Sequence, residues 1–517
     1  MDTQPAPIPG RRQWAGLAVL MLPTMLLGLD VTALYLVVPS LTADLHPTAT
    51  ETLWIMDAYG FLIAGFLITM GTLGDRIGRR RLLMIGTAAF GAASVFAAFA
   101  PSALWLIAAR ALLGVAGATL MPSTLSLISN MFADARQRAA AIGLWATMFA
   151  LGMAAGPIVG GLLVDHFWWG AVFLIAVPVS VATLVAAPAL LPEYRSDTSG
   201  LDLWSVALSL AAILPAVFSI KHAAAHGIDA QALAAAALGT AAAVAFIRRQ
   251  LRLREPLLDI RLFTDRTFSA ALAVLLIGLA GFGGVMYLVT QYLQFVDGLS
   301  PLAAGLWMGP PALAMLIGGV GAPALAGRVS PGIVMTGTLA LSLIGYALLA
   351  LAGTDSTAAV VSGFAFVYLG LGVIAALGTD IVVSAAPSEK SGSAAALSET
   401  VQELGIAAGV ALLGSLTTAV YRTVAEAPAG AAPAVAESYN DGLPGAVSVA
   451  EQLPAQALRH AQEAFTGGLE IAALAAGLAV AGASVVCFRM LRHLRPIGTT
   501  DQQTEPITST HGSGDDR

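Results

Sequence analysis

Four carboxylates stand inside long apolar stretches of this chain: Asp30, Asp57, Glu399 and Glu403. An ionised carboxylate at the centre of a bilayer costs at least ~2.5–3.5 kcal/mol on insertion scales, so each is expected to face a polar path and not lipid. Glu399 and Glu403 are four residues apart and therefore share one helix face. Desolvated together they repel, and the pair is expected to hold one proton between them near neutrality. A lipophilic cation favours the ionised forms and displaces protons, and protonation ejects the cation. That competition is antiport. The plainer alternatives are a capping role at an internal helix break for Asp30 and a solvated outer mouth for Asp57. Asp380 and Glu470 fall near the ends of their apolar segments and read as interfacial. Arg110 lies in another apolar stretch. A guanidinium does not deprotonate, so a buried one must be paired. Tyr35, Trp54, Trp145, Tyr287, Tyr292 and Trp307 are candidates for cation–π contacts, although most aromatics in membrane helices pack or anchor the interface.

The elements that must hold these groups follow from composition. Of 517 residues, 57% are hydrophobic and 11% charged, against roughly 25% charged in a soluble domain. So few charges cannot cover a water-facing surface, and lipid must be the main solvent. Fourteen apolar segments recur from Trp14–Pro39 to Gly467–Cys487, each near the ~20 residues that cross a hydrocarbon core. The first is too long for a signal-peptide core and reads as an uncleaved span, and the third and fourth are divided at Pro101-Ser102. With both termini on the cytoplasmic side, about 20 basic residues fall inside and about 3 outside, a strong positive-inside bias. The expected organisation is an all-α polytopic membrane protein. Residues 1–192 form one six-helix half and 193–266 carry two inserted helices with their linkers. Residues 267–496 form a second six-helix half with a long external loop at 422–463, and 497–517 form a disordered tail. The single cysteine, Cys487, excludes an intramolecular disulfide and any multi-cysteine metal or redox site.

Glycine patterning then sharpens the picture. The loop after the second segment reads Gly-Thr-Leu-Gly-Asp-Arg-Ile-Gly-Arg-Arg-Arg over residues 71–81. Gly74 and Gly78 permit a sharp turn, and Asp75 beside Arg76 can face a helix terminus or an arginine. On charge alone this is a topogenic basic loop. The fifth segment carries Gly152, Gly156, Pro157, Gly160 and Gly161 in a GxxxGPxxGG arrangement, where small side chains let backbones touch and the proline kinks the helix.

The 71–81 loop resembles the signature of the major facilitator superfamily, and Arg110 with Gly114 and Gly117 is similar to that superfamily's intramembrane arginine motif. The glycine–proline motif looks like that of its drug:proton antiporters. Leu29-Asp-Val-Thr32, the segment from Leu53 to Tyr59, that from Met121 to Ser126, that from Phe173 to Pro178 and that from Ser398 to Gly405 narrow the resemblance to the fourteen-helix branch, across nearly the whole chain. The resemblance implies a monomeric pump of a bacterial cytoplasmic membrane. It would export lipophilic cations, quaternary ammonium compounds, dyes and some antibiotics, in exchange for protons. Partners are then small cations, protons and membrane lipid, with no nucleic acid and no cofactor beyond the proton motive force. Met315 and Ser398 stand where a pump of that branch has further acids, which leaves proton stoichiometry and the handling of divalent cations open. Dedicated export of one endogenous antibiotic or metabolite would use the same carboxylate logic. A receptor or membrane enzyme is disfavoured, because the sequence has no Ser/His/Asp constellation and no metal-spaced His/Cys cluster. Neither lysine, Lys221 or Lys390, lies in a phosphate-binding GxxxxGK[ST] loop.

Overall fold

The computed structural model describes residues 10–132, 135–195, 202–253, 256, 258, 260–386 and 391–496, without the side chains of 16 helical positions including Asp75, Arg136 and Lys221. The expected tail at 497–517, and Arg254 and Lys390 among the basic residues counted above, lie outside the described residues. Fourteen long helical segments organise the chain. They are α1 (Arg11–Ala33), α2 (Ala49–Ile77), α3 (Arg79–Ala98), α4 (Ala103–Met131), α5 (Ala135–His166), α6 (Ala171–Leu190, with one break), α7 (Leu203–His226), α8 (Ala230–Gln250), α9 (Arg266–Gln291), α10 (Pro301–Ala326, with one break), α11 (Pro331–Ala350), α12 (Thr357–Ala385), α13 (Ser391–Val424) and α14 (Ala455–Leu491). Among the described residues, 12 of these are long and apolar enough by themselves to cross a membrane. The other two are α2, which is 29 residues long and packed inside the bundle, and α7, which is apolar over Leu203–Ser219. Both are at least as long as the helices they pair with, α4 and α8, so the expected count of fourteen fits the architecture.

Local chemistry explains where these helices start. Thr48 and Glu51 cap α2 reciprocally, each side chain accepting the other's backbone N–H at 3.2 and 2.9 Å. Asp202, Asp229, Asp265 and Ser300 accept from the third residue of α7, α8, α9 and α10. Gly78, at φ +109, turns the chain between α2 and α3, a conformation that a side chain resists. The division at Pro101-Ser102 is present, with α3 ending at Ala98 and α4 starting at Ala103. The 422–463 segment holds its own helices, Pro433–Asp441 and Leu443–Ser448, fixed by Tyr421 Oη donating to the Tyr439 carbonyl and Tyr439 Oη donating to that of Ala457.

Helix pairing repeats between the halves. In the first, α1 packs on α5 and α2 on α4; in the second, α9 packs on α13 and α10 on α12. This is the internal repetition of many transporter folds. Two seams join the halves, α2 with α13 and α5 with α10, and they occupy equivalent places in the two repeats. The closest approaches across the middle lie toward one end. Gly161 meets Pro301, Gly305 meets Pro157, Tyr35 faces Tyr287 at 6.5 Å, and Asp441 accepts the Ala49 N–H at 2.6 Å. This end, which bears the 422–463 segment, is the loop end. The opposite, basic end carries Arg76–Arg81. The halves are therefore shut at the loop end.

Candidate functional site

Asp30 sits on α1, one turn before the helix tightens into the 3-10 turn Leu34–Leu36. Its Oδ2 accepts from Arg110 Nη1 of α4 at 2.9 Å, and both side chains are nearly inaccessible. Arg110 Nε donates to the Ile55 carbonyl at 3.2 Å, and its guanidinium carbon lies 4.5 Å from the Tyr59 ring centroid. One cation thus ties α1, α2 and α4 together. The sequence demanded a partner for Arg110, and Asp30 supplies it.

Position on α1 comes from the glycine–proline motif. A methyl group at Gly152 would strike the backbone of Met25 and Leu29, and one at Gly156 would strike Thr32, Leu29 and Ala33. Gly160 stands equally close to Ala33, and Thr32 Oγ1 donates to the Met153 carbonyl at 2.8 Å. Without a hydrophobic drive between helices in lipid, such close approach is the main source of association. The residues that touch these glycines flank Asp30 on both sides. Gly161 and Pro157 have a second office: they meet Pro301 and Gly305 of α10, so the motif also forms part of the seam between halves.

Across the chamber, α13 brings Glu403, which is buried, and Glu399, which is half-buried. Glu403 lies within electrostatic reach of Glu399, Asp30 and Arg110. Tyr35 lies within the same reach of Asp57, Arg110 and Glu403, and Tyr287 of Asp57. Asp57 and Glu403 thus lie near Tyr35, Asp57 also near Tyr287, and Glu403 connects them to Asp30 and Glu399. Asp57 is only 1% exposed, which removes the solvated-mouth alternative for it. Among the described residues, Arg110 is the one buried basic side chain, against three buried acids and half-buried Glu399.

The remaining candidates divide. Tyr35 and Tyr287 face the acids. Trp145 is buried with its Nε1 donating to Thr124 Oγ1 at 3.1 Å, which locks α5 to α4. Tyr292 donates to the Gly353 carbonyl and accepts the Ser356 N–H, a loop-end brace far from the acids. Trp54 packs against α7, and Trp307 is 42% exposed on the outer surface. Ser398 bonds Thr379 of α12, and Met315 is buried against Gly372. In the 71–81 loop, the backbone N–H groups of Arg80 and Arg81 donate to Glu193 at 3.0 and 3.2 Å. Glu193 thereby caps α3, where a carboxylate complements the positive end of the helix dipole. Sequence reasoning read Glu193 only as linker; its place just after α6 and Pro192 gave no capping spacing to detect.

Helices paired in two repeated sets around a buried, net-acidic chamber define a multi-pass membrane transporter. The comparisons with known proteins carry this further. Residues 20–410 match the Major Facilitator Superfamily, and the chain belongs to that family. It is 44% identical to the multidrug efflux pump LfrA of Mycolicibacterium smegmatis over 92% of this chain and 96% of that one. It is 36% identical to the methyl viologen resistance protein SmvA of Salmonella typhimurium, over 90% and 96%. With the tetracenomycin C resistance and export protein of Streptomyces glaucescens it shares 32%, over 97% and 96%. A bacterial homologue of the human lysosomal transporter Spinster, solved inward-facing and unoccupied, superposes with a TM-score of 0.64 at 15% identity, covering 93% and 97%.

Proposed function

We propose that the protein is a proton-coupled antiporter that exports lipophilic cationic drugs across a bacterial cytoplasmic membrane. The observation that carries this reading is the excess of carboxylates over bases inside an apolar bundle, with Asp30 already neutralised by Arg110 and Asp57, Glu399 and Glu403 in addition. Such a chamber favours a bound cation, either a drug or protons, and two aromatic faces beside it suit a flat organic cation. A dye cation entering from the basic end would bind while Glu399 and Glu403 are ionised. Protons arriving after the halves rock open at the loop end would neutralise the pair and release it. The names of the similar pumps above agree with drug export.

In this reading the basic end is cytoplasmic, as the arginine asymmetry indicates. Both termini lie inside, and residues 1–192 and 267–496 are the two moving halves, with 193–266 inserted between them. The experiment is efflux of ethidium from reconstituted vesicles with and without an imposed pH gradient. Efflux that follows the gradient, and collapses with it, supports antiport. Gradient-independent movement, or none, refutes it. Export of an endogenous antibiotic is the second reading, favoured by the tetracenomycin C exporter among the similar proteins. A drug panel in which a single compound class is protected would select it.

A further inference from the structure

The inserted hairpin is placed asymmetrically, and that placement bears on how a membrane-dissolved substrate reaches the acids. The seams α2–α13 and α5–α10 are equivalent in the repeat, so each is a lateral gap when the basic end is open. At the first seam the halves touch at Gly60 and Ala407, near mid-depth. At that level α7 lies across both helices: Ile213, Leu214 and Val217 pack with Phe61, Leu404, Ala407 and Ala411, and Leu210 fills the space at Gly65, just over a turn nearer the basic end. Behind it, α8 seals against α7 where Gly239 meets Ala212 and Ala216, and turns Leu233, Leu238 and Ile247 outward. The hairpin is clamped at its basic end by Arg249, whose Nη2 and Nε donate to the two Asp202 oxygens at 2.8 and 3.0 Å.

The second seam has no such cover. Its glycine contacts, Gly161 with Pro301 and Gly305 with Pro157, lie at the loop end. Toward the basic end, a Cβ at Gly143 of α5 would meet nothing within 4 Å. Leu144 and Thr147 beside it are exposed.

We infer that the α7–α8 hairpin walls off the α2–α13 seam and leaves the α5–α10 seam as the lateral doorway through which lipophilic cations pass from the adjoining leaflet to the acid chamber. The doorway rests on the reading of the substrate as a membrane-dissolved cation; the wall itself does not. A wall of this kind makes admission one-sided: the substrate passes Gly143 and meets α13 from the α5 side.

The test uses the full chain in lipid vesicles and two lipid-soluble photoreactive probes of equal size, one cationic and one neutral, with adducts mapped by mass spectrometry. In the wild type, adducts of both are expected on the basic-end halves of α5 and α10, with the cationic probe also reaching the chamber and neither reaching Phe61 or Leu404. Gly143→Trp, placed where there is open space, should lower chamber labelling at least fivefold. Leu210→Ala with Ile213→Ala and Leu214→Ala should thin the wall and add labelling at Phe61 and Leu404. Chamber labelling undiminished by the tryptophan, or wild-type adducts at Phe61 and Leu404, would overturn the inference. The wild-type map alone decides the second point even if a variant fails to insert. A neutral probe that labels the doorway while the cationic probe never labels the chamber supports the one-sided opening and refutes the cation site instead.

Discussion

Asp30 and Arg110 neutralise one another across 2.9 Å in a nearly inaccessible place, which sets what a substitution at either does. Removing one partner of a buried pair costs about 3–5 kcal/mol because the other charge is stranded. Asp30→Asn is therefore expected to lower both folded yield and efflux, monovalent and divalent cations alike, by at least tenfold in rate. The double variant Asp30→Asn, Arg110→Gln separates the two effects, since it strands no charge: yield should return while efflux stays low. Recovery of efflux in the double variant would mean that Asp30 serves only to satisfy Arg110. Glu399 and Glu403 can partly replace one another across one helix turn. Either Gln variant should retain part of monovalent ethidium efflux and lose more of a long dication, which needs two separated anions. Removing both should flatten the dependence of efflux on external pH. If Asp30→Asn pumps normally while one Gln variant is dead for every substrate, α13 carries the essential proton alone.

At the scale of elements, the glycine–proline motif has two contacts to defend. Gly156→Leu drives α1 from α5 beside Asp30, and Gly161→Leu drives α5 from Pro301 at the seam. The first should abolish transport with the protein still inserted. The second should hinder closure of the loop end, so that cysteines placed there label in the absence of substrate; normal resistance at normal expression in both would reduce the motif to generic packing. The hairpin clamp behaves differently with pH. Arg249 and Ser205 hold the Asp202 carboxyl down to about 2, below its ordinary 3.8. A depressed carboxyl contributes above its unfolded value and loses that contribution only as pH falls through its folded one. The clamp is therefore constant from about pH 5 to 8, and Asp202→Asn should leave the pH profile of efflux unchanged while easing trypsin cleavage near Arg252. A shifted profile would implicate the linker in coupling. These elements were unequally legible in the sequence. Spans stood out because each needs an unbroken apolar run, and the motif because its spacing is tied to backbone contact. The seat of α7 in one seam was not, since a helix that is apolar all round shows no preferred face. Nor was the link between Asp30 and Arg110, which are 80 residues apart, or the cap by Glu193, which reaches back 113 residues to Arg80.

For the whole molecule, everything above depends on which end faces the cytoplasm. Arginines crowd the end with residues 76–81 and 248–252, while the 422–463 segment sits at the other, joined to the first half through Asp441 and Ala49. A basic end held inside by the translocation bias puts the present closure on the outer side, away from a cytoplasmic cation. The same chain inserted the other way would present its acids to the medium and import. Single cysteines decide between these. Ala434 and Arg252 are exposed at opposite ends, and Cys487 is 0% accessible between α14 and α11, so Cys487→Ala gives a quiet background with little loss of packing. In intact cells, Ala434→Cys should react with an impermeant thiol reagent within minutes and Arg252→Cys only after permeabilisation. Labelling of both from one side would show an odd number of crossings between α8 and the 422–463 segment to be wrong, since α9 to α13 supply five. Reversal of the two sides would keep the fold and overturn the direction of transport.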